Sequence, residues 1–300
     1  MKKLFLINIM LLFAFGINAQ QSDCSNLTGS YLGQTLPGTI PGLFAPGIIS
    51  TDDHEFSCCF SPDGTEFYFT RRNPETRRPV VMVCKQTEGR WTKPEPLAAL
   101  LPIGFTFEPF ITPDNTRLYF QTSAVVNDKP EMLTRYLERT KEGWSDMKDP
   151  GEAFNPGKTM HISATMDGTI YTTDISGGMG SESLGMIRMV NDQYEKLEKL
   201  GGPFNKTEKQ QHPWIAPDES FIIFTVRRPG QTPVSVLFCA FRNQDGDWSD
   251  PVELNLGMDA GQPYVSPDGK YLFFTSGDPK VGSDIYWVSA KIIEELRPVK

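Results

Sequence analysis

The sequence predicts an all-β fold: a five-bladed β-propeller of four-stranded antiparallel blades, closed by an outer strand from the N-terminal segment. Three observations carry this expectation. One turn motif recurs five times at nearly constant spacing. Each recurrence lies inside a hairpin pattern. The last repeat lacks an outer strand, and an early segment is placed to supply it.

The repeats are Phe60-Ser-Pro-Asp-Gly-Thr-Glu-Phe-Tyr-Phe-Thr70, Ile111-Thr-Pro-Asp-Asn-Thr-Arg-Leu-Tyr-Phe-Gln121, Thr165-Met-Asp-Gly-Thr-Ile-Tyr-Thr172, Ile215-Ala-Pro-Asp-Glu-Ser-Phe-Ile-Ile-Phe-Thr225 and Val265-Ser-Pro-Asp-Gly-Lys-Tyr-Leu-Phe-Phe-Thr275. Their turn aspartates, Asp63, Asp114, Asp167, Asp218 and Asp268, are 51, 53, 51 and 50 residues apart. A fixed period of this length marks a repeat architecture. Pro-Asp-Gly is turn chemistry, because Pro presets φ, Asp bonds the local backbone and Gly accepts positive φ. The aromatic run after it, such as Phe67-Tyr68-Phe69, suits a strand buried on both faces. A third strand follows, at Val80 to Cys84 or Val234 to Phe241. A polar turn and an aromatic then open an outer strand at Trp91, Trp144, Tyr194 and Trp248. Four strands in about 50 residues make one propeller blade.

The fifth repeat has its third strand at Asp284 to Ala290 and then a short tail with helical character. Residues 41–49, Pro-Gly-Leu-Phe-Ala-Pro-Gly-Ile-Ile, lie the right distance upstream to complete it. The domain reading is therefore a signal peptide over 1–19, a lead-in segment over 20–40 and one propeller over 41–298. Lys2 and Lys3, the apolar run from Leu4 to Ile17 and the small Ala19 are the marks of a secretory leader. The run is shorter than the roughly 20 apolar residues a transmembrane span needs. The expectation is a periplasmic or secreted monomer, cleaved near Ala19, with no transmembrane segment.

The full chain carries a net charge of −8, and a cleaved leader leaves −10. That balance opposes nucleic-acid binding, which relies on phosphate neutralisation by Lys and Arg. The five cysteines, Cys24, Cys58, Cys59, Cys84 and Cys239, are odd in number and show no metal-type pair spacing. They read as small buried hydrophobes.

The Ser-Pro-Asp-Gly-x-x-hydrophobic-Tyr/Phe-Phe-Thr pattern resembles the WD40-like PD40 repeat of periplasmic TolB-type propellers, across residues 31–298. The resemblance implies a propeller and says little about activity, since propellers host many. Two departures stand out. The segment before residue 41 is too short for a separate TolB-type N-terminal domain, which argues against a Tol-system role. The third repeat has Met166 in place of Pro and a shortened second strand.

In such blades the first strand lines a central channel. Six residues before each turn aspartate stand Ser57, Glu108, His161, His212 and Gln262. All are polar, and two of the three histidines are among them; His54 lies just before the first. One expectation is a ligand site at the channel mouth, with Glu108, His161, His212 and Gln262 able to hold Mn²⁺, Zn²⁺ or Ca²⁺. Propellers of the oligogalacturonate lyase type are similar in repeat pattern, and that likeness implies His and Gln metal ligands on this face. The plainer account is a hydrated polar channel. A second group is basic: Arg71-Arg72 and Arg227-Arg228 end second strands, and Arg77-Arg78 follow the first pair. Arg72 and Arg227 are the expected holders of an anionic ligand such as a uronate-containing glycan. The plainer account there is solvation, or pairing with Asp52, Asp53 or Asp174. Trp91, Trp144 and Trp248 recur at one blade position, so blade packing explains them better than sugar stacking. No nucleophile elbow, phosphate loop or sialidase-type box occurs. Three functions stay open: a binding propeller for a glycan, peptide or protein; a metal-dependent lyase or hydrolase acting on acidic oligosaccharide; and a protein scaffold with an exposed apolar patch.

Overall fold

A computed structural model describes residues 27–206, 209–278 and 282–298. Residues 1–19, expected to be a signal peptide, and Cys24 lie outside the described residues. Short strands and tight turns dominate, as the Gly- and Pro-rich sequence requires.

The chain runs through the outer strand β1 (Gly42–Leu43) and then five antiparallel blades in succession. Blade 1 holds β2 (His54–Phe60), β3 (Glu66–Arg72), β4 (Pro79–Thr87), a short β5 (Arg90–Trp91) and β6 (Glu95–Pro96). Blade 2 holds β7 (Phe107–Ile111), β8 (Arg117–Val126), β9 (Lys129–Thr140) and β10 (Gly143–Trp144). Blade 3 holds β11 (Thr159–Ala164), β12 (Ile170–Asp174), β13 (Ser183–Ile187) and β16 (Glu198–Lys199), with the small hairpin β14 (Met189–Val190) and β15 (Gln193–Tyr194) between the last two. Blade 4 holds β17 (Lys209–Ile215), β18 (Phe221–Arg227), β19 (Ser235–Phe241) and β20 (Val252–Leu254). Blade 5 holds β21 (Gly261–Val265), β22 (Tyr271–Asp278) and β23 (Gly282–Ser289), and its fourth strand is β1. A one-turn helix, α1 (Lys291–Glu294), ends the described chain and buries Ile293.

The inner strands β2, β7, β11, β17 and β21 contact one another in sequence, and β21 returns to β2, so they ring one axis. The expected closure is present. Gly42 and Leu43 pair with Trp287 and Tyr286, and the Phe44 amide donates to the Ile285 carbonyl at 2.9 Å. The closing strand is two residues long, shorter than the 41–49 stretch proposed for it. The outer strands also differ in detail. In blades 1 and 3 the predicted aromatic, Trp91 or Tyr194, ends a hairpin that precedes the true outer strand. The lead-in is bound to the ring. Tyr31 donates to Asp268 at 2.5 Å, and Gly29 offers its carbonyl to Trp91 Nε1 at 2.8 Å.

Each turn aspartate acts as the motif requires. Its carboxylate accepts the backbone N–H two residues on, at Thr65, Thr116, Thr169, Ser220 and Lys270. Ser61, Thr112, Thr165 and Ser266 add hydroxyl donors in four of the five turns. In Asp114 burial pushes the carboxyl up, but the Thr112 and Thr116 hydrogen bonds win and hold it below the ordinary value. A depressed carboxyl stabilises the fold above its unfolded value, and that contribution is lost as pH falls through the folded value. Asp114→Ala removes three hydrogen bonds and is expected to cost about 1–2 kcal/mol. Asp114→Asn keeps the acceptor, and should cost less and soften the acid limb; urea denaturation at neutral and acid pH checks both.

The tryptophans pack between and within blades. Trp144 Nε1 donates to Tyr68 of the previous blade at 3.1 Å, with Arg139 4.1 Å above its ring. Trp248 lies 5.7 Å from Phe204 of blade 3. Among the described residues Cys58, Cys59, Cys84 and Cys239 are buried.

Candidate functional site

The site begins with a backbone irregularity. Each inner strand has a bulge at the position six residues before its turn aspartate. Ser57, Glu108, His161, His212 and Gln262 all have positive φ there, between 47° and 57°. Such values are uncommon outside glycine and cost of order 1–3 kcal/mol each unless the surroundings impose them. The surroundings do so. The amides of Ser57, Glu108, His212 and Gln262 donate to Thr275, Thr70, Thr173 and Thr225 of the preceding blade, at 2.8–3.1 Å. In blades 2, 4 and 5 a proline follows, Pro109, Pro213 or Pro263. It has no N–H to lose where the ladder breaks.

Blade 3 differs. Its preceding blade carries Gln121 where the others carry threonine, and Gln121 bonds Thr134 instead. The His161 amide instead lies near the Glu108 carboxylate and helps hold its charged form. Glu108 faces two further ring residues. Gln262 Nε2 donates to Glu108 Oε1 at 2.9 Å. His212 Nε2 lies 3.8 Å from the same oxygen. The His161 and His212 rings meet edge to face at 5.2 Å. These contacts join Glu108, His161, His212 and Gln262; Ser57 completes the ring by position.

Glu108 and His161 are buried, His212 and Gln262 are half-buried, and the cluster is incompletely bonded. Glu108 Oε2, His161 Nδ1 and His212 Nδ1 are buried without a hydrogen-bond partner. Burial pushes the Glu108 carboxyl up to about 7, against hydrogen bonds from Gln262 and the His161 amide. Burial and the Arg227 charge push His212 down to about 4. Burial and His212 hold His161 well below the usual imidazole range. The close His212–Glu108 approach is thus a contact between a neutral imidazole and a carboxyl that titrates near neutrality, not a fixed ion pair. Among the described residues, no group of three or more His, Cys, Asp or Glu side chains is placed to hold a metal ion. The residues expected to bind Mn²⁺, Zn²⁺ or Ca²⁺ meet through hydrogen-bond and ring contacts.

The arginines divide by strand alternation, since neighbouring residues face opposite ways. Arg71 is structural. It bonds Glu55 at 2.7 Å and the carbonyls of Ile48 and Ile49 at 3.0 Å, tying down the closing segment. Arg228 pairs with Glu253 at 3.0 Å and lies over Phe238. Arg227 is exposed and close enough to His212 to depress it. Arg72 is half-buried, and its Nε has no partner. Pairing with local acid therefore explains Arg71 and Arg228, not Arg72 and Arg227.

No family model matches the chain, and no curated protein matches it. Similar folds are found among solved structures. The GH43 BlXynB protein from Bacillus licheniformis is 12% identical, with a TM-score of 0.52 over 84% of this chain and 57% of that one. An alpha-L-arabinofuranosidase from Lactobacillus brevis is 14% identical, with a TM-score of 0.50 over 80% and 90%. TolB from Acinetobacter baumannii is 16% identical, with a TM-score of 0.48 over 81% and 56%. The chain thus spans little more than half of the TolB and BlXynB chains. At these identities the likeness is one of fold.

Two clefts lie away from the channel. One of about 600 Å³ is lined by Lys158, Asp174, Tyr194 and Lys199. The other, about 560 Å³, is lined by Phe204, Arg242 and Trp248. Neither includes a ring residue.

Proposed function

We propose that this is an exported, periplasmic or secreted propeller that holds a ligand at the mouth of its channel. One observation carries the proposal: three buried polar atoms, on the neighbouring side chains of Glu108, His161 and His212, have no partner. An unsatisfied buried polar atom costs about 1–3 kcal/mol. A ligand that supplies the missing partners recovers that cost. Arg227 beside the cluster and Arg72 further along the rim favour a ligand that also carries negative charge. An acidic oligosaccharide offers hydroxyls for the cluster and carboxylates for the rim. A pure scaffold fits less well, because unpartnered buried polar groups lie together at the ring positions. Among the described residues no helix is long and apolar enough to cross a membrane.

Calorimetric titration with oligomers of galacturonate and glucuronate tests the assignment. Arg227→Ala is expected to weaken binding about tenfold or more, the loss of one charge-assisted contact. His212→Ala should weaken it as well. Binding unchanged by both substitutions rejects the channel mouth as the site.

A second function has one observation behind it. A carboxyl that titrates near 7 is suited to proton transfer at neutral pH. This supports a lyase- or hydrolase-type activity on the same ligand class. Glu108 is the only carboxylate among the five ring positions, whereas glycoside hydrolysis ordinarily uses two flanking carboxylates. Product formation from acidic oligosaccharides by the wild type, absent in Glu108→Gln, separates catalysis from binding.

A further inference from the structure

We propose that His54 and Arg72 form a carboxylate-binding subsite at the seam where blade 5 meets blade 1. The inference extends the channel-mouth reading to a specific ligand group and rests on that reading for the identity of the bound molecule.

His54 and Arg72 are directly opposed across the β2–β3 ladder. Opposed residues project from the same face with neighbouring Cβ atoms. Ser283 fixes the histidine. Its backbone N–H donates to His54 Nδ1 at 3.0 Å, and its one hydroxyl hydrogen is shared between that nitrogen, 2.6 Å away, and the Glu55 carbonyl, 2.8 Å away. A ring nitrogen that accepts a backbone N–H carries no proton, so the proton of neutral His54 is on Nε2. Protonating Nδ1 would set two hydrogens against each other. Burial and the charges of Arg72 and Arg77 push His54 below its ordinary value. The side chain is thus a neutral imidazole whose Nε2–H is a preset donor.

Arg72 supplies the charge. Its Nε is buried and has no hydrogen-bond partner, although Nε and a terminal nitrogen are one edge of the guanidinium fork that takes a carboxylate bidentately. The nearby acids are engaged elsewhere. Glu55 bonds Arg71 and Thr51, Asp53 lies 4.0 Å from Arg71, and Asp52 faces Asp284, whose carboxyl is raised by burial and by that charge. Two donors on one face of the ladder, one of them a buried and unpaired guanidinium nitrogen, suit one planar oxyanion.

Histidine-resolved ¹⁵N NMR of the full chain tests the subsite, with D-glucuronate as probe and its neutral methyl ester as control. Glucuronate is expected to shift the His54 Nε2–H resonance, and the ester is not. Arg72→Lys keeps the charge but loses the Nε donor, and should raise the glucuronate needed for a half-maximal shift about tenfold. Arg72→Gln should abolish the shift. An equal shift with the ester, or one that survives Arg72→Gln, overturns the proposal. His161 and His212 report on the channel separately. Shifts there without one at His54 leave the channel site standing and overturn the subsite. A shift at His54 alone supports the subsite and counts against the channel cluster. No shift at any histidine overturns both.

Discussion

Replacing Phe44 with alanine is expected to cost about 3–5 kcal/mol of folding stability, the largest effect of any single substitution considered. Phe44 follows the closing strand and is fully buried. Its ring lies 5.1 Å from Phe67 of blade 1, and 5.0 and 5.1 Å from Phe273 and Trp287 of blade 5. It therefore joins the first and last blades. Truncation removes apolar area from both and leaves a cavity that the backbone, held by the Phe44–Ile285 hydrogen bond, cannot readily collapse. Equilibrium urea denaturation measures the cost. A loss below about 1 kcal/mol would mean that closure contributes little, since even Ile→Val in a core commonly costs that much.

Glu108→Gln is expected to stabilise the protein well above pH 7, by about 3 kcal/mol. The sign follows from linkage. The folded carboxyl titrates at about 7, against an ordinary value of 4.5. Between those values the folded state binds the extra proton, so wild-type stability falls as pH rises through that window. Each pKa unit is worth 1.36 kcal/mol, and glutamine never pays this ionisation cost. His212 works in the other direction. Its folded value of about 4 lies below 6.5, so its contribution is lost as pH falls from about 6.5 to 4. The two trends partly cancel in the wild type. In Glu108→Gln the opposing carboxyl trend is removed, and stability should rise more steeply from pH 4 to 6.5 than in the wild type and fall less above it. Thermal melting across pH 4–9 checks this. Parallel curves for wild type and variant would show that Glu108 does not titrate abnormally.

Much of this was readable before any coordinates, because propeller symmetry converts sequence period into spatial position. Five aspartates at 50–53-residue spacing place five residues around one axis, and counting back from each finds Glu108, His161, His212 and Gln262 together. The contacts among them were beyond that count. They depend on a left-handed bulge in each inner strand, and periodicity carries no direct sign of φ. A partial sign was present in Pro109, Pro213 and Pro263, which follow three of the five ring residues. The threonine that receives the ring amide in the other blades is replaced by Gln121 in the blade before His161, a relation visible only once the blades are adjacent. The arginine dipeptides were ambiguous for a simpler reason. Composition cannot say which of two neighbours faces Glu55 or Glu253, and strand alternation decided it. His54 was noted only as a neighbour of the ring, because its partner, Ser283, is 229 residues away.

The two-residue length of the closing strand bears on how the molecule is made. Gly42 and Leu43 leave the ribosome long before Trp287 and Tyr286 exist to receive them. Contacts this distant in sequence form late, so the beginning of the chain must wait, unpaired, while four blades assemble behind it. A longer apolar strand would be a hazard in that interval, open to the wrong edge or to another molecule. Pro41 and Pro46 bracket the waiting segment and offer no N–H to a foreign ladder. The brevity of the latch thus protects the nascent protein, and the buried ring of Phe44, rather than added hydrogen bonds, secures it once the last blade arrives.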